Sequence, residues 1–122
     1  MKDPTRFENS QPILRVEDMD RAVKFYVDQL GFQNAQWATE TFTSVNRDRA
    51  GIYLSRQEQG RGGAWVWLGV EDVEALHAEY IARGVAIMQP PTEYPWAFEM
   101  RIEDPDGNVL RIGSEPRENS IS

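Results

Sequence analysis

The chain contains no cysteine and only one histidine, His77. Disulfides and thiolate metal sites are therefore excluded, and a site built on several imidazoles is excluded with them. No apolar run approaches the ~18 residues that a membrane-spanning helix needs. The opening MKDPTRFENS lacks the apolar core of a signal peptide, so a cytoplasmic location is expected. Basic residues are few: 13 Lys and Arg stand against 20 Asp and Glu, a net charge of −7 with a pI near 4.7. That balance argues against nucleic acid and anionic membranes as partners. What is present is an ordinary globular composition, 40% hydrophobic and 27% charged, in 122 residues. Residues 1–122 fit a single domain.

The tripeptide Val16-Glu17-Asp18 returns as Val70-Glu71-Asp72, an offset of 54 residues. At the same offset Met19 meets Val73, Tyr26 meets Tyr80 and Val27 meets Ile81. Each copy predicts a short strand ending at the valine, then a helix capped by the aspartate. Apolar residues follow at helical spacing: Met19, Val23, Tyr26 and Leu30, then Val73, Leu76 and Tyr80. Gly31 and Gly84 supply the left-handed turn after each helix. The turns 47–51 and 103–107 precede a closing strand in each copy, and alternating segments such as FTSVN and AFEMRIE precede those turns. The fold class is thus α+β: two βαβββ modules in tandem, 11–57 and 63–115, forming a curved mixed sheet. The tails 1–10 and 116–122 are polar and expected to be loose. Gly60 to Gly63 is the expected hinge. Helices cover one side of the sheet, and the other side curves around a cavity.

Strand parity assigns side chains to that cavity. Trp65 and Trp67 alternate with Ala64, Val66 and Leu68, which belong with the helices. Glu99 and Arg101 alternate with Phe98, Met100 and Ile102. Arg111 lies between Leu110 and Ile112. Gln11, Ile13 and Arg15 oppose Leu14 and Val16. Arg15, Arg101 and Arg111 thus share a face with Glu99. Those arginines either neutralise acids or receive an anion. Trp37 and Trp96 sit in loops, where burial in a core is less natural. Flat rings on an open face suit a flat partner, although the same rings could fill a dimer seam.

Pro12 to Phe32 (PILRVEDMDRAVKFYVDQLGF) and Glu103 to Ile112 (EDPDGNVLRI) resemble the opening and closing segments of the vicinal oxygen chelate superfamily. That superfamily includes glyoxalase I, extradiol dioxygenases and bleomycin resistance proteins. Ala64 to Tyr80 (AWVWLGVEDVEALHAEY) and Tyr94 to Asn108 (YPWAFEMRIEDPDGN) look most like the bleomycin resistance proteins. The resemblance implies metal-ligand positions at Gln11, Trp65 and Arg111. An indole and a guanidinium offer no lone pair to a metal ion, so no metal and no cofactor is expected. His77 falls on the second helix, away from the cavity.

By the same resemblance the protein is expected to bind and sequester a small molecule, bleomycin-like, in a groove of a homodimer whose N-terminal arms are often exchanged. The drug's planar bithiazole would meet aromatic residues, and its cationic tail would meet acids. The candidate ligand-binding residues are Trp37, Phe42, Trp65, Trp67, Trp96, Glu99, Arg101 and Arg111, with Glu40 and Glu93 as further acids. The alternative is a glyoxalase-like or dioxygenase-like enzyme with a non-standard site. Metal-free acid–base chemistry through Glu99 or Tyr53 is one form of it. Asp104-Pro105-Asp106-Gly107 reads only as a turn, since further ligands at calcium-loop spacing are missing.

Overall fold

A computed structural model of the protein describes residues 4–57 and 63–116. The expected hinge lies outside the described residues except for Gly63. Residues 1–3 and 117–122 of the tails lie outside them too.

The duplication read from VED is visible in the topology. Strand β1 (Ile13–Arg15) leads into helix α1 (Met19–Lys24), which runs on as a π-helical turn over Phe25–Gln29. Strands β2 (Gln33–Asn34), β3 (Phe42–Arg47) and β4 (Ala50–Ser55) follow. The second copy comprises β5 (Trp65–Gly69), α2 (Val73–Ala82), β6 (Gln89–Glu93), β7 (Phe98–Glu103) and β8 (Val109–Ser114). The first sheet has the order β1-β4-β3-β2 and the second β5-β8-β7-β6, so each module repeats the same path. In both, the first strand is parallel to the last and the remaining pairs are antiparallel. The strands divide into these two four-stranded sheets, one per module.

Local chemistry sets the helix ends. Asp18 and Asp72 are extended and accept from the backbone N–H groups of Arg21 and Ala75, satisfying donors that a helix start leaves free. Gly31 and Gly84 take φ of 81° and 77° just past the helices. A side chain there would strain the left-handed turn. The two prolines of β6 fall on the outer strand of the sheet, where their missing N–H groups break no interior ladder. The pairing of β6 with β7 shifts register at that point, between Gln89 and Thr92.

One buried cluster runs through both halves. Leu14, Val45, Ile52 and Leu54 of the first sheet pack with Met19, Ala22 and Leu30, and Met100, Ile102, Leu110 and Ile112 of the second sheet join them. Burying each large aliphatic side chain contributes about 1.5–3 kcal/mol. The echoed tyrosines tie the modules together. Tyr26 of the first copy donates its phenol proton to Asp104 of the second at 2.8 Å. Tyr80 of the second copy donates to the carbonyl of Leu30 in the first at 2.9 Å. Arg47 adds a two-pronged bridge to Glu79 on α2, at 2.9 and 3.0 Å. Asp104 therefore does more than turn the chain. It is buried, and it also accepts from the backbone N–H groups of Asp106 and Asn108 and from the Asn108 side-chain amide.

Candidate functional site

In β5 the pleat buries Val66 and turns Trp65 and Trp67 to the side away from the helices, where they stay 56% and 48% exposed. The strand pairing places Arg111 beside Trp67, and Arg101 directly across from Arg111. Two cations facing one another across a ladder repel. Glu99, on the same face one step along β7, resolves the conflict. Its Oε1 accepts from Arg111 Nη2 at 2.7 Å and from Trp96 Nε1 at 2.9 Å. Its Oε2 accepts from Arg111 Nε at 2.9 Å and from Arg101 Nε at 3.2 Å. Glu99 itself is completely buried. The hydrogen bonds from Arg111, reinforced by Trp96 and Arg101, outweigh the cost of burial and hold its carboxyl at about 2, down from 4.5. The arginines of this face thus pair with the acid.

The guanidiniums also lie over the rings. Arg101 Cζ is 5.5 Å from the Trp65 centroid and 5.9 Å from that of Tyr94, and Arg111 Cζ is 5.8 Å from that of Trp67. Tyr94 and Trp96 stack at 4.8 Å with planes 11° apart. Trp67 crosses the sheet so closely that a Cβ at Gly113 would come within 2.6 Å of its Cη2. The face is a band of rings and cations around one neutralised carboxylate.

The structure divides the residues singled out from the sequence. Trp65, Trp67, Trp96, Glu99, Arg101 and Arg111 come together on the second sheet. Trp37 and Phe42 belong to a separate stack on the first sheet. There the Phe42 ring lies 6.1 Å from Trp37 and 5.2 Å from Tyr53. Arg15, expected to share the face with Glu99, stands on β1 of the first sheet, and its side chain takes no part in the Glu99 network. Glu40 borders a different depression of about 480 Å³, with Glu17, Asp20 and Arg56. Glu93 lies on the outer strand β6. Tyr94 was missed, although the sequence Tyr-Pro-Trp marked its loop.

A second depression, of about 790 Å³, lies between the β3–β4 turn and α2, lined by Arg47, Arg49, Leu68, Leu76 and Tyr80 among others. Neither depression is lined by the tryptophans of the second sheet. The face expected to line the hollow leaves its tryptophans about half-exposed. Among the described residues the two sheets share no strand pairing.

The positions implied for a metal do not fit one. Trp65 offers no donor, and Arg111 is a cation committed to Glu99. Gln11 lies against Gly51 of the first sheet, its Oε1 buried without a hydrogen-bond partner among the described residues. Among those residues no group of three or more His, Cys, Asp or Glu gathers to hold a metal ion. No helix among them is long and apolar enough to cross a membrane. His77 is half-buried on α2.

Two sheets of identical winding with an open face on the second define an α+β protein of tandem βαβββ modules. Residues 10–112 match the model of the Glyoxalase/Bleomycin resistance protein/Dioxygenase superfamily, and the chain belongs to that family. Its structure is similar to that of the bleomycin-binding protein of bleomycin-producing Streptomyces verticillus, complexed with copper(II)-bleomycin. The TM-score is 0.78 at 27% identity, covering 91% of this chain and 98% of that one. It is also similar to TnmS3, an antibiotic-binding protein from Streptomyces sp. CB03234, with a TM-score of 0.76 at 26% identity over 92% and 99% of the two chains. A virulence protein from Salmonella typhimurium shares the fold at 20% identity, with a TM-score of 0.74 over 92% of this chain and 99% of that one. No curated protein sequence matches the chain.

Proposed function

We propose that this protein binds and sequesters a flat, antibiotic-sized molecule without metal chemistry, as a cytoplasmic homodimer of the bleomycin-resistance type. The observation that carries this reading is the half-exposed pair Trp65 and Trp67, held beside Trp96 by one ion cluster. Exposed indoles with fixed neighbours offer apolar area at little ordering cost, and stacking on them adds about 0.5–1.5 kcal/mol per ring beyond area burial. The neighbours that bind bleomycin and an antibiotic support the class of ligand. A second copy would supply the wall that the open face lacks, and the Trp37–Phe42–Tyr53 stack is the aromatic surface available for it.

Titration calorimetry with copper(II)-bleomycin and with the metal-free drug tests the drug directly. Saturable heat supports it; silence from both removes bleomycin. Native mass spectrometry of the freshly purified protein tests binding more broadly, through any small molecule that stays attached. Light scattering on Trp65→Arg separates pocket from seam. A variant that stays dimeric and loses ligand places Trp65 in the pocket, and one that turns monomeric places it in the interface. Stoichiometric divalent metal in the purified protein would overturn the metal-free reading and favour an enzyme.

A further inference from the structure

An acid beside stacked rings would ordinarily recruit a cationic ligand. Glu99 does not serve that purpose. A carboxylate has about four lone-pair directions, and here four donor bonds arrive from Trp96, Arg111 and Arg101. It is also sealed from solvent. The two arginines keep partial access, with 24% and 31% of their side chains exposed. Two positive charges on one negative charge leave a local excess of one.

The unspent donors can be named. Among the described residues, Arg111 commits Nε and Nη2 to Glu99, which leaves Nη1. Arg101 commits only Nε among those residues, which leaves both of its terminal nitrogens. The next acid along β7, Glu103, has its Oε2 near the Gly107 turn. Geometry adds to charge. Because Arg101 and Arg111 already lie over Trp65, Tyr94 and Trp67, a flat ring laid on this band meets guanidinium edges at its rim. The net charge of −7 works against an anion, and the two guanidiniums work for it. Exposed charges beyond a Debye length, about 8 Å in physiological salt, are largely screened, whereas a pair in direct, partly buried contact is screened much less. The local term wins.

We propose that the ligand of this face is a planar aromatic acid, a fused-ring system bearing an ionised carboxylate or similar group, which stacks on the indoles and places its anion on Arg101 and Arg111. This rests on the reading that the face binds small molecules, and it narrows that reading to one charge class.

Three probes of equal ring size test it: anthracene-2-carboxylate, 2-(hydroxymethyl)anthracene and 2-(aminomethyl)anthracene, followed by quenching of tryptophan emission. The expected order is carboxylate, then alcohol, then ammonium, with about tenfold or more between the ends. Arg101→Gln should weaken the carboxylate several-fold more than the alcohol, erasing most of its advantage, and Arg101→Lys should restore part of that difference. Thermal melts check that both variants fold, and the wild-type series decides the order if either does not. Equal binding of all three, or tightest binding of the ammonium, overturns the charge class and leaves the small-molecule reading intact. If none binds and Trp65→Arg releases monomers, the face is a seam between copies, and both readings fall.

Discussion

Trp67 lies directly over Gly113: a Cβ at that glycine would come within 2.6 Å of the indole Cη2 and 2.9 Å of the Glu99 Cβ. The two residues are 46 positions apart in the chain and belong to adjacent parallel strands. The absence of one side chain lets the other lie down. Gly113→Ala should therefore lift Trp67, cost about 1–3 kcal/mol of stability through overpacking, and weaken anthracene-2-carboxylate binding. Chemical denaturation and the quenching titration measure the two effects. Unchanged values for both would mean that the indole tilts without cost.

Glu99 gives a pH signature. Its carboxyl is held at about 2 in the folded protein against 4.5 in the unfolded chain. The stability it contributes is fully present above the unfolded value and is lost as pH falls through 4 toward 2. The loss should be on the order of 2–3 kcal/mol. Glu99→Gln should remove that part of the acid sensitivity while lowering stability at neutral pH, because two guanidiniums then lack their counter-charge. Urea midpoints from pH 7 down to 3 check both statements.

The two tyrosine bonds should differ in worth. Tyr26 donates to a carboxylate and Tyr80 to a neutral carbonyl. Hydrogen bonds to charged groups contribute about 1.5–3 kcal/mol net, and neutral ones about 1. Tyr26→Phe should thus destabilise more than Tyr80→Phe. Equal midpoint shifts in urea would contradict this ranking.

The same phenols predict the alkaline limit. Burial raises both, and Asp104 raises Tyr26 further by charge and hydrogen bond. Their stabilisation is complete below the ordinary tyrosine range near 10 and fades as pH climbs past it. Phenolate absorbance should therefore show two of the four tyrosines ionising only as circular dichroism reports unfolding.

Much of this was legible in the sequence. The repeat exposed the duplicated modules, since Asp18, Asp72, Gly31 and Gly84 mark helix ends by local chemistry that needs no partner. Strand parity placed Trp65, Trp67, Glu99, Arg101 and Arg111 on one face, because buried Val66, Met100 and Ile112 left no alternative register. Tertiary pairing was not legible. Nothing local separates Trp37 and Phe42 from the second sheet, or shows that Arg15 takes no part in the described Glu99 network. Asp104 read as a turn because its partner Tyr26 lies 78 residues earlier. The division of the strands into two sheets was hidden for the same reason: sequence gives each strand's sides but not the relation between two sheets.

The exchanged tyrosine bonds join the halves through space as well as along the chain. A chain opened between residues 57 and 63 would keep every described inter-module hydrogen bond. That connection is thus not what holds the described hydrogen bonds between the two copies together.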